Sequence, residues 1–234
     1  MASEILAAVK KFEERFRKLQ PAERHLYTDF FAYFDDLDDG EKKEARKKLL
    51  PKTHMAKLKG AERFSGGAVV AYGHQNETNA LAACLDDHKD AGCDDVVLEP
   101  PMGLMVRPEW PFLGASLDGV ISCSRHGRQA VEAKCPFRCS PDRGASQKTL
   151  MEVLEEDLKF NKETGAFSNP HYWQQMVQMG VSGLKCNNLV IWSQSMSFFA
   201  SENFDQIVWE DALLRFKWYY LNVILPVLLD EENE

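Results

Sequence analysis

The chain has 234 residues, 44% of them hydrophobic, with a formal net charge of −8 and a pI near 5.4. That apolar content can fill a core and excludes a chain disordered throughout. The acidity excludes a protein that coats nucleic acid with a general positive field, although a site that gathers carboxylates around a cation would itself add negative charge.

In chain order, Ile5, Val9, Phe12, Phe16 and Leu19 recur at spacings of three and four and predict an amphipathic helix over 3–20, ended by Pro21. An aromatic helix over 22–34, an acidic turn with Gly40 and a charged helix over 41–50 stopped by Pro51 follow. Its Lys42, Lys43, Arg46, Lys47 and Lys48 fit a solvated face better than a phosphate grip. After Gly73 a helix is expected to about residue 88, with Leu81 and Leu85 on one face. Short strands over 96–99 and 103–107 flank Pro100 and Pro101. Two longer strands, 112–123 and 129–134, are joined by a turn at 125–128. A helix over 149–160, a loop with Gly165 and Pro170, and a strong helix over 171–184 come next. Strands at 188–193 and 197–201 and a final helix over 205–229, interrupted near Pro226, complete the order. Helices, strands, then helices again describe an α/β or α+β protein. Residues 1–60 read as a helical extension to a domain over 61–234.

No apolar run reaches the roughly 18 residues of a membrane span, and the N-terminus lacks a basic stretch followed by a long apolar one. The expectation is an intracellular protein, in nucleus or cytoplasm and not secreted. Cys84, Cys93, Cys123, Cys135, Cys139 and Cys186 are then expected as free thiols. Cys135 and Cys139 lack a second close pair, so no structural metal is expected there. Phe198, Phe199, Trp209, Trp218, Tyr219 and Tyr220 fit core positions better than base-stacking platforms.

The chemistry concentrates in 113–121 and 131–137. Side chains alternate along a strand, so Glu132 and Lys134 share a face. If the strand before the turn pairs with 129–134, Asp118 approaches Glu132. Two acids held close repel each other, and burial disfavours their charge. A hard divalent cation resolves the conflict, and magnesium suits oxygen donors. Asp118, Glu132 and the Ala133 carbonyl would hold Mg2+, with Mn2+ as a substitute. Such an ion activates water and polarises a phosphodiester, while Lys134 orients the water or offsets transition-state charge. The spacing alone is a weak signal, since acids and bases alternate on many exposed strands.

Four blocks extend it. Gly-Ala-Ser-Leu-Asp118-Gly119 and Val-Glu132-Ala-Lys134-Cys-Pro-Phe resemble the ASPDG and LEIKCP signatures of the YqaJ-type viral recombinase nucleases, the family that includes phage lambda exonuclease. His171-Tyr-Trp-Gln174-Gln-Met-Val-Gln178-Met-Gly-Val-Ser-Gly183 is similar to its HYYQVQxQMxVTG helix. Tyr72-Gly73-His-Gln-Asn-Glu77-Thr-Asn-Ala80-Leu81 is similar to its G-x-x-x-E-x-x-A helix. The blocks fall in family order over roughly 65–225. The resemblance implies a restriction-endonuclease-like PD-(D/E)xK core, a mixed sheet flanked by helices. It also implies a magnesium-dependent deoxyribonuclease, most simply a 5′–3′ double-strand exonuclease that makes single-stranded tails for recombination or repair. The other readings are a structure-selective or nonspecific endonuclease on the same core and a module that binds DNA or a recombinase without cutting.

By the same resemblance Asp118, Glu132, Ala133 and Glu77 hold metal, Lys134 and Gln174 join Asp118 and Glu132 in catalysis, and Ser116 and Tyr172 meet substrate. Leu117 stands where the family has proline, and Met176 where it has the second glutamine of QxQ. The family's early arginine and TAS motif, which grip a DNA end, have no match in residues 1–64, and Arg63 and Ser65 are the candidate substitutes. Implied partners are duplex DNA ends, a single-strand annealing protein and further copies of the chain in a homo-oligomer, a trimer by analogy, with no membrane.

Overall fold

A computed structural model describes residues 34–50 and 67–230. The helix expected over 3–20 and nearly all of the one over 22–34 lie outside the described residues. In chain order the elements are α1 (Asp39–Leu49), α2 (Gly67–Asp90), β1 (Val97–Leu98), β2 (Leu104–Val106), β3 (Gly114–Ser116), β4 (Gly119–Cys123), β5 (Gly127–Lys134), α3 (Leu150–Asp157), α4 (Tyr172–Ser182), β6 (Cys186–Trp192), β7 (Ser197–Asn203), α5 (Gln206–Tyr219), a π turn (Tyr220–Ile224) and α6 (Leu225–Asp230). Two compact units divide the chain: Gly66–Phe204, and Met1–Ser65 together with Asp205–Glu234. This division places α1 in one unit with α5, the π turn and α6.

In the larger unit a five-stranded sheet has the order β1-β4-β5-β6-β7, and β2 and β3 form a separate ribbon. The β4–β5 hairpin is antiparallel, from Gly119 opposite Val131 to Cys123 opposite Gly127. Gly127 takes the positive φ of 67° that this tight connection asks for. The β5–β6 pair is parallel, with Glu132 beside Leu189. Alternation along the strands sends successive residues to opposite faces. Val131 and Val190 pack with Ala80, Leu81 and Cys84 of α2. On the other face Ala130 packs with Leu117, Val120 and Leu184, while Leu189 and Ile191 of β6 meet Val153 and Leu154 of α3. The sheet is therefore covered by helices on both faces.

Two expectations change. The strand read over 112–123 is two strands, because the chain leaves the β2–β3 ribbon after Ser116 and joins the main sheet at Gly119. Leu117 is buried at this crossing, and Asp118 turns its carboxylate onto the backbone of β5. Helix α2 starts at Gly67, not after Gly73. An internal glycine costs about 1 kcal/mol relative to alanine, but Tyr72 before it and Ala80, Leu81 and Cys84 after it are all buried, so packing carries the helix through. Helix α3 opens with a capping box between Thr149 and Glu152, and α4 closes on Gly183 in the left-handed conformation.

In the smaller unit Asp38 and Glu41 form a capping box on α1, and Phe34 meets Trp218 edge-on at 5.0 Å. Pro226 does not stop the final helix. The chain takes a π turn just ahead of it. Proline has no N–H for the carbonyl four residues back, here that of Asn222, and Arg46 Nε donates to this carbonyl at 2.6 Å. Gln206–Leu229 is long and apolar enough to cross a bilayer by length and composition, but it is no uninterrupted apolar run, since Glu210, Asp211, Arg215 and Lys217 lie within it. Within it Arg215 pairs with Asp211 at 2.9 Å one turn away, and Tyr219 donates its hydroxyl to the Leu49 carbonyl at 2.9 Å. Trp209 is buried, as expected of a core residue.

Candidate active site

Asp118 sits at the crossing just before β4, and Glu132 and Lys134 point from β5 to one face of the sheet. The Ala133 N–H donates to Asp118 Oδ2 at 2.8 Å. Within a strand the N–H and C=O of one residue point to the same edge. The Ala133 carbonyl therefore faces the side where Asp118 lies, past the end of β4. Glu132 is fully buried. Lys134 Nζ donates to Glu132 Oε1, and Gln178 Nε2 donates to Glu132 Oε2 at 2.5 Å. Gly119 makes the approach of the strands to α2 possible, since a Cβ there would stand 2.8 Å from Leu81 Cδ2 and 3.2 Å from Leu98 Cδ1.

Burial pushes the Asp118 carboxyl above its ordinary range and the nearby Glu77 charge adds to this, against the Ala133 hydrogen bond and Lys134. Burial and then the Asp118 charge push Glu132 upward too, opposed by Lys134 and Gln178. Cys135, next along the strand, is pushed up to about 11 by burial, Glu77 and Asp118, so it stays a thiol. His171 is held down at about 4 by burial and by the Lys134 ammonium, so it stays neutral near pH 7. Two acids that resist ionising beside a lysine form a site short of positive charge.

A row of side-chain amides stands behind Glu132. Asn169 Nδ2 donates to Gln175 Oε1 at 2.7 Å, and Gln175 Nε2 to Asn187 Oδ1 at 3.2 Å. Asn187 Nδ2 then donates to Gln178 Oε1 at 2.7 Å, and Gln178 ends the row on the acid. Gln175, Gln178 and Asn187 are buried. The Gln178 amide also donates to the Ser116 carbonyl at 3.0 Å, which ties the end of β3 to α4.

The remaining candidates are placed as follows. Glu77 lies on α2, one turn before Leu81, with His74 Nδ1 at 3.7 Å from its carboxylate. Gln174 is exposed, one turn ahead of Gln178 on the same helix face, and the amide that reaches Glu132 is that of Gln178. Gln174 falls between His171, which feels Lys134, and Gln178. Ser116 has an exposed side chain and a bound carbonyl. Tyr172 is half-buried with its ring 5.5 Å from Trp173. Arg63 and Ser65 lie outside the described residues. Phe198 packs edge-on against Phe160 at 5.5 Å and Phe167 at 5.4 Å, as a core residue does. Sequence reasoning did not single out Gln178 and its amide row. Their signal in the sequence was Gln175 and Gln178 set among the apolar residues Met176, Met179 and Val181, with Asn187 shortly after; burial of the two glutamines places them away from a solvated helix face.

A mixed sheet between helices, with Asp118 entering one strand and Glu132 and Lys134 on the next, defines a fold of the PD-(D/E)xK type. The pattern of the YqaJ-like viral recombinase domain matches residues 39–185, and the chain belongs to that family. Among solved structures it is similar to an alkaline exonuclease, LHK-Exo, from Laribacter hongkongensis. The identity is 18%, with 80% of this chain and 86% of that one covered at a TM-score of 0.51. The same enzyme in complex with dAMP matches at 19% identity, with the same coverage and TM-score. No curated protein matches the sequence.

Proposed function

We propose that this chain is a metal-dependent deoxyribonuclease that degrades duplex DNA from its ends, 5′ to 3′, leaving single-stranded tails for recombination. The observation that carries the reading is the convergence of Asp118 and Glu132, both resisting ionisation, with Lys134 and the backbone of Ala133. The donors are oxygens, which fit a hard ion such as Mg2+, with Mn2+ as a substitute. Asp118, Glu132 and the Ala133 carbonyl would hold it, with Glu77 behind, directly or through water. When bound, such an ion supplies an activated water and an electrophilic contact to the phosphodiester.

The protein's own groups do the rest. Lys134 exchanges its contact with Glu132 for the attacking water or the developing charge on phosphorus. Gln178 keeps Glu132 fixed while this happens. Gln174 reaches the reacting phosphate from the open side of α4, and Ser116 and Tyr172 meet the strand. The dAMP held by the Laribacter enzyme is the kind of nucleoside monophosphate that such cleavage would release here. A homotrimer around the duplex and an annealing protein that takes up the new strand complete the proposal.

The test is digestion of linear duplex labelled separately at its 5′ and 3′ ends, with closed circular DNA alongside. Release of the 5′ label as mononucleotide, an intact circle, and a loss of about 10²–10⁴-fold in Lys134→Ala are expected. Cutting of the circle would replace the exonuclease by an endonuclease. Equal, chelator-insensitive behaviour of the wild type and Lys134→Ala would remove the enzyme altogether.

A further inference from the structure

At the far end of the β4–β5 hairpin from the acids, three groups with soft or borderline donors meet. Cys93 lies just beyond the end of α2, Cys123 is the last residue of β4, and His126 is in the turn. His126 Nδ1 is 3.2 Å from Cys93 Sγ and 3.5 Å from Cys123 Sγ, and the three donor atoms lie within 4.8 Å of one another. Among the described residues no other three His, Cys, Asp or Glu donors gather this closely.

Nδ1 offers one lone pair or one proton to two sulfurs that both stand within hydrogen-bond range. The two N···S distances also suit a metal-centred geometry. A tetrahedral zinc with Zn–S of about 2.3 Å and Zn–N of about 2.0–2.1 Å sets its ligand edges near 3.5 Å for S···N and near 3.8 Å for S···S. The His126 backbone N–H also donates to Cys123 Sγ at 3.3 Å, which fixes that sulfur at the turn.

The donors are held in place without an ion. The Cys93 N–H donates to the His88 carbonyl at 2.9 Å, after Gly92 has turned the chain at φ 86°. The hairpin tip is tied to the same loop twice. Ser124 N donates to Asp95 Oδ2 at 2.8 Å, and Arg125 Nη1 to the Ala91 carbonyl at 3.2 Å.

We infer that Cys93, Cys123 and His126 form a binding site for a thiophilic divalent cation of the zinc type, with solvent in the fourth position. Binding replaces the two thiol protons, which pass to solvent. The ion joins the end of α2 to the tip of the hairpin whose other end carries Asp118 and Glu132. This inference does not depend on the nuclease reading.

The experiment is a Co2+ titration of the full chain, stripped with chelator and kept reduced, followed by the thiolate-to-cobalt charge-transfer absorption. Cobalt on carboxylates alone does not give that band. The expected result is one equivalent per chain with the band, its loss in Cys93→Ser/Cys123→Ser, and zinc competing for the site. Cys93 is buried, so the serine pair is open to misfolding. His126→Ala, at an exposed position, supplies the independent arm. Loss of an outer-shell partner already weakens a metal site by about 10–100-fold, and His126→Ala is expected to weaken Co2+ binding by at least about tenfold. No band in the reduced wild type, a band that survives the serine pair, or unchanged affinity in a folded His126→Ala chain would each overturn the proposal.

Discussion

The two ends of β4 carry two different chemistries. Before the strand, Asp118 meets the backbone beside Glu132, and carboxylates with a lysine face a covered sheet. At its last residue, Cys123 meets Cys93 and His126, and sulfur and nitrogen gather at a hairpin tip. The first end is buried, which raises both acids above their ordinary range, so an ion there competes with protons. The second is fixed mainly by backbone hydrogen bonds, and its donors are few and soft. One hairpin can thus hold two ions of opposite preference, sorted by donor type, and each end can be altered with the other as control.

The largest expected effect is at the acid end. Glu132→Gln should lower the nuclease rate by more than about 100-fold, beyond the cost of losing an outer-shell partner, and leave the cobalt–thiolate band at the hairpin tip unchanged. Loss of both signals would mean that the two ends are not separable. Next comes Gln178→Ala, which strips a hydrogen bond from Glu132, from the Ser116 carbonyl and from Asn187. A stability loss of about 1–3 kcal/mol is expected in denaturant unfolding, with a rate loss of about 10–100-fold. A variant with unimpaired turnover would show that the amide row is structural alone.

The pH dependence separates groups within the acid end. Asp118 and Glu132 titrate above their ordinary range. Without an ion their contribution to stability is therefore full below that range and is lost as pH rises through the raised values. Mg2+ binds the deprotonated forms, so the rise in melting temperature that it causes should grow with pH across that window. A shift independent of pH would contradict the raised values of the two acids. His171 has the opposite sign. Its value of about 4 lies below an ordinary histidine near 6.5, so its contribution is present above about pH 6.5 and lost as pH falls toward 4. His171→Asn should flatten that part of the stability curve.

The smallest effect is expected from His126→Ala. With zinc present it should lower the melting temperature by a few degrees, roughly what about 1 kcal/mol does to a domain of this size, and with chelator present by almost nothing. Equal shifts in both conditions would assign the loss to packing.

What was legible follows from locality. Strand alternation puts Glu132 and Lys134 on one face, and the short turn brings Asp118 to them, so that part can be read residue by residue. The break at Leu117 and Asp118 has a signal in the Asp118-Gly119 dipeptide, but apolar and small residues continue on both sides of it, and which strands each half pairs with is not encoded locally. Gln174 and Gln178 share a helix face. Which of them reaches Glu132 depends on where α4 lies along the sheet, and spacing does not encode that. Cys123 and His126 are close in sequence, but Cys93 comes from the end of another element, and close-pair spacing rules pass over it. Gly73 looked like a boundary and is internal, because buried residues on both sides outweigh its propensity.

The row of four amides has one further consequence. When it is ionised, Glu132 can only accept, and in that state it compels Gln178 to present its NH2. That frees the Gln178 oxygen for Asn187, and the same choice repeats back to Asn169. A single negative charge therefore orients every dipole in the file, and each polarises the next. Protonating Glu132 would remove the reason for that common direction, so amide spectra along α4 and β6 should register the charge state of an acid that solvent never touches.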